Sequence, residues 1–250
     1  MKSADRIRLD ALLVEQGHFA SRSRARDAVD RGTVCADGRV ATKAGQLVHR
    51  SAILSVDDPA RTYVSRGALK LIAGLDRFGL EVKDRLALDI GASTGGFTEV
   101  LLERGVVGVV AIDVGHAQMD ARLRADPRVT VIEGLNARDL DLDRLGGVRP
   151  DLLVCDVSFI SLKLALPPAL DLAVPGAKGV FLVKPQFEVG REAIGKGGLL
   201  RDAAAADRVA EDLGRWLDDM PGWRSVGICP SPIEGGDGNR EFLLAGEKVS

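Results

Sequence analysis

"LALDIGASTGGFTEVLLERG", residues 86–105, opens as a short apolar strand, turns on a glycine-rich loop and continues as an amphipathic helix. Inside it, GASTG fits the G-x-S-x-G nucleophile elbow of serine hydrolases, and the same turn fits a loop that receives a nucleotide-like cofactor at a strand-to-helix junction. Ser93 is therefore either a nucleophile or part of a cradle. A nucleophile elbow needs an acid and then a histidine late in the chain; only His116 follows Ser93, at the end of the next strand, which is too early. A dinucleotide loop wants G-x-G-x-x-G, whereas Gly91-x-Ser93-x-x-Gly96 sets a serine where a pyrophosphate must come close.

Outward from this stretch, strands and helices alternate from residue 67 on. Strand candidates are LALDI, VGVVAIDV, VTVIE, LLVCDV, GVFLVK, RSVGIC and EFLLA; helical segments are FTEVLLERG, the stretch around Met119, LKLALPPALDLA and AAAADRVAEDLGRWLDDM. Apolar strands alternating with helices argue for a parallel sheet covered on both faces. The last two strands are joined only by PSPIEGGDGNR, so a hairpin ends the sheet, which is the plan of the methyltransferase variant of the Rossmann fold. In such a fold an acid precedes a looser glycine turn, as Asp89 does, and a second acid about 20 residues on, here Asp113, grips ribose hydroxyls. That pattern favours an S-adenosylmethionine cradle.

The chain has 250 residues, room for one large and one small domain, and a net charge of −2. The charge is unevenly spread: residues 1–70 carry 13 Lys/Arg against 8 Asp/Glu, leaving −7 for the rest. A basic front end on an acidic body suggests that the front end meets a polyanion. Cys35, Cys155 and Cys229 are scattered, with neither a disulfide framework nor metal-ligand spacing, so no metal site is expected. No apolar run approaches the length of a membrane span, and MKSADRIRLD lacks the apolar region of a signal peptide, which reads as a cytoplasmic protein without a membrane partner.

In the front end, Leu9, Leu12 and Leu13 have helical spacing and Gly17 is a stop. Ser21 can cap a second helix with an apolar stripe at Ala25, Ala28 and Val29, while Arg22 and Arg26, four apart, share another stripe with Arg24 to one side. VCADGRV alternates around Asp37-Gly38, a tight hairpin signal. The pattern RLD-LL---G---SR--A---V--G-V---G resembles the small RNA-binding module named after ribosomal protein S-four, over roughly residues 6–52. That resemblance implies RNA contacts from Arg22, Arg24, Arg26, Arg39 and Lys43, with Arg8, Arg61 and Arg66 as flanking candidates. PARTYVSRG then reads as a linker.

Four charged residues occupy strand or helix positions where burial is costly without a purpose: Lys70 in GALKLIAGL, Asp156 ending LLVCDV, Lys184 ending GVFLVK and Glu241 opening EFLLA. Ligands of open α/β sheets bind outside the carboxyl ends of the parallel strands, so Asp156 and Lys184 face that cleft, and Glu241 joins them because its strand runs the other way. The order Lys, Asp, Lys, Glu resembles the catalytic tetrad of FtsJ-type ribose 2′-O-methyltransferases. With SRGALKL, DIGASTGGFT, DVSFISL, KPQFE and GNREFL, the whole chain resembles the TlyA family, which methylates cytidine riboses in 16S and 23S ribosomal RNA and often carries a haemolysin label.

The resemblance implies an α/β protein: a small N-terminal α+β RNA-binding domain (1–58), a linker (59–66), and a Rossmann-like methyltransferase domain (67–250) with a seven-stranded mixed sheet. It implies S-adenosylmethionine as cofactor, held by Asp89, Gly91, Ala92, Ser93, Gly95, Gly96, Phe97, Asp113, Asn136 and Asp156, and ribosomal RNA or a ribosomal subunit as partner. Lys184, desolvated and near Lys70, is the expected general base; Asp156 orients it, and Lys70 and Glu241 hold the ribose. One departure stands out: the family's linker is Arg-x-Trp-Val, and Arg61-Thr62-Tyr63-Val64 has tyrosine for tryptophan. GREAIGKG (190–197) nearly spells a P-loop, but Gly197 replaces the Mg²⁺-binding hydroxyl residue, so it reads as a flexible loop near the active site in which Lys196 either touches RNA phosphate or is merely solvated. Two rival functions remain: a non-catalytic RNA-binding assembly factor, against which the intact tetrad speaks, and a membrane-lytic haemolysin, for which no amphipathic or spanning element of adequate length is present.

Overall fold

The computed structural model describes residues 5–202, 204–235 and 238–250, and the chain divides into two compact units between Thr62 and Tyr63. The first unit holds β1 (Arg6–Arg8), α1 (Leu9–Glu15), α2 (Arg22–Asp30), β2 (Val34–Ala36), β3 (Arg39–Val40), β4 (Leu47–His49) and β5 (Leu54–Val56). Ser21 caps α2 by accepting the Arg24 amide at 3.3 Å. Asp37 and Gly38, at φ 51° and 75°, give the β2–β3 hairpin two left-handed residues, as a type I′ turn requires. Leu9, Leu13, Ala25, Ala28, Val29 and Val34 form its core, which is where the apolar stripes pointed. Pro59–Thr62, expected as linker, is a 3₁₀ turn at the end of this unit.

The second unit contains α3 (Gly67–Phe78), β6 (Leu86–Ile90), α4 (Gly96–Glu103), β7 (Gly108–Asp113), α5 (Ala121–Arg124), β8 (Val129–Glu133), β9 (Leu152–Cys155), α6 (Leu162–Ala165), α7 (Pro167–Leu172), β10 (Lys178–Val183), α8 (Ala205–Asp218), β11 (Trp223–Pro230) and β12 (Phe242–Lys248). Its seven strands lie in the order β11-β12-β10-β9-β6-β7-β8. β12 pairs antiparallel with β10 and with β11, and the other pairs are parallel. The strand order reverses between β6 and β9, the place where open α/β sheets bind ligands. Two local expectations shift. Pro167 and Pro168 divide the expected single helix into α6 and α7, because proline cannot donate to the preceding turn. Met119 precedes α5 instead of sitting within a helix, and is buried against the glycine loop. Among the described residues no helix is long and apolar enough to cross a membrane.

Strand alternation sorts the side chains. Leu88, Ile90, Leu153, Phe181, Val183 and Leu244 pack on one face of the sheet with α6, α7 and α8. Ala87, Leu152, Val154, Val180, Leu182 and Leu243 pack on the other face with α3 and α4. Asp89 shares the face of Ala87 and so lies wholly buried beneath α4, where Thr98 Oγ1 donates to its Oδ2 at 2.6 Å. Burial lifts this carboxyl to about 7, with the neighbouring Asp156 adding to the rise and the Thr98 hydrogen bond opposing it.

Two stability measurements test this packing. Phe181 is wholly buried with its ring 6.2 Å from Trp223, and Phe181→Ala is expected to lower unfolding free energy by about 3–5 kcal/mol in urea titration; a loss under about 1 kcal/mol contradicts the packing. Because the folded Asp89 keeps its proton to higher pH than the unfolded chain does, its contribution is fully present below about pH 4 and is lost as pH rises toward about 7. Asp89→Asn should therefore flatten that slope and raise stability at pH 8 more than at pH 4.5, and an unchanged slope refutes the assignment.

Candidate active site

Carried one residue past the strand ends, the same alternation places three charged residues on the face covered by α3. Asp156 follows β9 in phase with Leu152 and Val154, Lys184 follows β10 in phase with Val180 and Leu182, and Glu241 precedes β12 in phase with Leu243. The antiparallel register pairs Val183 with Phe242, so the next pair outward is Lys184 and Glu241. Lys70 comes down from α3 and forms an ion pair with Glu241, both residues at most 5 % exposed. Lys184 Nζ lies 2.5 Å from Asp156 Oδ1, off the line of a hydrogen bond, and donates to Ser158 Oγ at 2.8 Å. Each lysine thus has its own carboxylate. Asp156 stands beside Lys184, the placement from which it was expected to orient that lysine, while Lys70 is paired with Glu241.

Removing two charges from water is expensive, and a buried ion pair adds little net stability compared with apolar packing. This arrangement is therefore better suited to chemistry than to holding the fold. Cys155 next door is no nucleophile, because full burial pushes its thiol far up and the adjacent Asp156 adds to that. Among the described residues no group of three or more His, Cys, Asp or Glu could hold a metal ion.

Beside Asp156 opens a cleft of about 780 Å³ at the point where the strand order reverses. Of the expected cofactor residues, Gly91, Ser93, Asp113, Asn136 and Asp156 line it. The Asp113 carboxylate accepts the Ser93 amide at 2.8 Å and the Gly115 amide at 2.7 Å, tying the glycine loop to the end of β7. Asn136 accepts the Arg138 amide and caps the turn after β8. Ser93, at φ 46°, is held by its backbone as part of this turn. A Cβ on Gly91 would fall 2.5 Å from the Asp156 carbonyl oxygen, so only glycine fits there.

Asp89, Ala92, Gly95, Gly96 and Phe97 are not on the cleft wall. They stand behind it: Gly95 and Gly96 pack against Leu123 and Ser65, and Phe97 is core. Asp89 Oδ1 is buried with no hydrogen-bond partner among the described residues. A cleft of nucleoside size, an acid at the end of β7 and an orphaned buried carboxylate oxygen behind the loop fit an aminoacyl-nucleoside cofactor.

The RNA candidates fare unequally. Arg8 and Arg22 both grip the buried carboxylate of Asp10. Arg24 spends Nη2 on the carbonyls of Ala60 and Arg61, which makes it a latch on the 3₁₀ turn before it is a phosphate ligand. Arg26, Arg39, Lys43 and Arg61 are exposed, and Arg66 is half-buried at the start of α3. The loop carrying Lys196 meets Asn239, whose Nδ2 donates to the Gly198 carbonyl at 3.0 Å and whose Oδ1 accepts the Leu200 amide at 3.4 Å.

Sequence reasoning passed over Ser158, Phe159, Phe187 and Glu188 as individual site residues, although they sit within the quoted DVSFISL and KPQFE. Phe159 is 90 % exposed at φ 66°, its ring 5.1 Å from Phe187, both on the cleft wall. Glu188 accepts Ser161 Oγ at 2.5 Å and the Leu162 amide at 2.7 Å, clamping the two segments together, and burial pushes its carboxyl up. The available signal was an aromatic in each of two short segments following adjacent strands.

The FtsJ-like methyltransferase family matches residues 63–248, and the S4 domain matches residues 7–54. The 16S/23S rRNA (cytidine-2′-O)-methyltransferase TlyA of Mycobacterium tuberculosis is 46% identical over 242 residues, covering 96% of this chain and 90% of its own. Hemolysin A of Brachyspira hyodysenteriae is 38% identical over 238 residues, covering 95% and 98%. A solved structure of a candidate hemolysin from Streptococcus thermophilus superposes with a TM-score of 0.76 at 40% identity, over 98% of this chain and 90% of that one. With the two pairs of charges, the cleft at the switch point and these matches along nearly its whole length, the chain belongs to the TlyA family, an FtsJ-like methyltransferase with an S4 domain at its front.

Proposed function

We propose that the protein is an S-adenosylmethionine-dependent ribose 2′-O-methyltransferase that modifies cytidine in 16S ribosomal RNA, 23S ribosomal RNA or both, acting on ribosomal subunits in the cytoplasm. The observation that carries this reading is the Lys184–Asp156 pair at the carboxyl end of the sheet, backed by the buried Lys70–Glu241 pair, with Asp156 on the wall of a nucleoside-sized cleft. The activities that the relatives' names state support the choice of ribosomal cytidine.

Bound S-adenosylmethionine supplies an electrophilic methyl group on a sulfonium. The residues suited to hold it are Gly91, Ser93, Asp113 and Asn136 on the cleft wall, with Asp89 behind them. The rest of the work is positioning and deprotonation, because a ribose 2′-hydroxyl is a poor acid near neutral pH. Lys184 Nζ takes that proton as the hydroxyl oxygen attacks. Asp156 orients the amine beforehand and stabilises the ammonium that forms. Ser158 fixes a second direction of the same nitrogen. Lys70 and Glu241 cancel each other's charge and keep the floor of the site rigid. Phe159 offers an exposed ring on which a splayed base can stack.

The test is methyl transfer from radiolabelled S-adenosylmethionine to separated 30S and 50S subunits lacking this modification. The wild type should leave label in RNA as an alkali-resistant dinucleotide, and Lys184→Ala should lower kcat by about 100-fold or more while cofactor binding persists. Absence of transfer to either subunit, with cofactor bound, sinks the reading and promotes a non-catalytic RNA-binding role.

A further inference from the structure

The segment that leaves β9 runs along the cleft wall between two anchors, and both come from the segment that leaves β10. At its near end Ser158 Oγ accepts Lys184 Nζ at 2.8 Å. At its far end Glu188, just past the 3₁₀ turn Pro185–Phe187, accepts the Ser161 hydroxyl at 2.5 Å and the Leu162 amide at 2.7 Å. Between the anchors stands Phe159, 90 % exposed and with its backbone at φ 66°. A phenylalanine in the left-handed region persists only where its surroundings hold it. A side chain so exposed has little packing of its own to do that; its ring meets Phe187 at a tilt of 49°.

The far anchor does more than start α6. Ser161 by itself caps that helix, taking the Lys163 amide at 3.1 Å. Its own proton goes to a carboxylate 27 residues away. Both oxygens of Glu188 are thus engaged by successive residues of the other segment, in bonds that a charged acceptor makes short and strong. We propose that Glu188 is a positioning residue for the target base: by fixing Ser161 and Leu162 it closes the far end of the segment and holds the Phe159 ring outward, as the stacking surface for a base turned out of ribosomal RNA. Glu188 touches no ligand itself. This rests on the ribose methyltransferase reading above, in which Phe159 takes the base. Lys184 and Glu188 lie four residues apart on one short segment, so the group that receives the proton and the ring that receives the base are set relative to each other by the same few residues. A ring held in advance leaves less ordering to be done on binding.

The sign of the effect separates positioning from charge. Removing an acid beside a wall that receives RNA by itself favours the RNA, whereas loss of the anchor works against it. In methyl transfer by the full chain to unmodified 30S and 50S subunits, Glu188→Ala should raise the KM for the subunit about five- to tenfold and lower kcat by less, with S-adenosylmethionine affinity within about twofold of wild type by equilibrium dialysis. Glu188→Gln should come within about twofold of wild type throughout, since its amide can accept from Leu162 and donate to Ser161. In a Phe159→Ala background, which itself raises KM at least as much, Glu188→Ala should add nothing. Thermal melting reports whether Glu188→Ala remains folded. Should it unfold, Glu188→Asp, one methylene too short to reach both partners, takes its place with the same expected pattern.

A folded Glu188→Ala protein, or Glu188→Asp in its place, with the KM of wild type overturns the positioning role. So does a rise in KM that Glu188→Gln shares in full, that persists in the Phe159→Ala background, or that comes with an equal loss of cofactor affinity. Those outcomes leave the methyltransferase reading standing whenever the wild type transfers methyl groups. A wild type that binds cofactor and methylates neither subunit overturns both.

Discussion

The antiparallel seating of β12 against β10 is the constraint on which the site depends. A parallel strand in that position would bring its carboxyl end to the cleft. The reversed strand instead brings its start, and with it Glu241, to the residue that ends β10. Register then fixes the face: a slip of one residue would turn Glu241 toward the α8 side and leave Lys70 buried without a counter-ion. Lys70 and Glu241 are 171 residues apart in sequence, and their pairing is bought by the order of the whole sheet. A buried pair of this kind is a poor stabiliser and costly to break, so the packing of the fold alone does not account for it.

The cleft relies on a second, softer device. The backbone amide of Ser93, not its hydroxyl, is bound to Asp113, so one carboxylate both shapes the glycine loop and stands at the cleft wall. On the opposite wall, Phe159 and Phe187 meet while Glu188 ties the turn before α6 to the segment after β10. An exposed aromatic residue in the left-handed region is a local cost, and such costs gather at working sites. The two walls are thus built by different means, hydrogen-bonded backbone on one and stacked side chains on the other.

In the N-terminal unit the same logic operates with little core to draw on. Leu9, Leu13, Phe19 and the small residues of α2 supply its apolar packing, and charge pairs occupy the rest. Arg31 grips buried Asp58 at 2.8 Å, Arg24 holds the turn at Ala60, and Arg8 and Arg22 share Asp10. Arginines in such a small unit therefore serve two ends, and composition cannot sort them. A guanidinium facing a carbonyl and one facing solvent look the same in sequence.

The local signals were legible because they are local. Strand alternation, the Asp37-Gly38 turn, the Ser21 cap and the glycine turn after LALDI each depend on neighbours a few residues away, and the element order that follows from them already implied a methyltransferase-type sheet. The four charged residues could be picked out as costly to bury, and family resemblance named their order. What the sequence did not carry was pairing. That Lys70 belongs to Glu241 and Lys184 to Asp156, that Asp89 stands behind the cleft wall, and that Asp10 draws two arginines together follow from sheet register and from which helix covers which face. Spacing along a chain determines which side a residue faces; only the packed structure decides what it meets there, because charges far apart in sequence find each other through the core that brings them together.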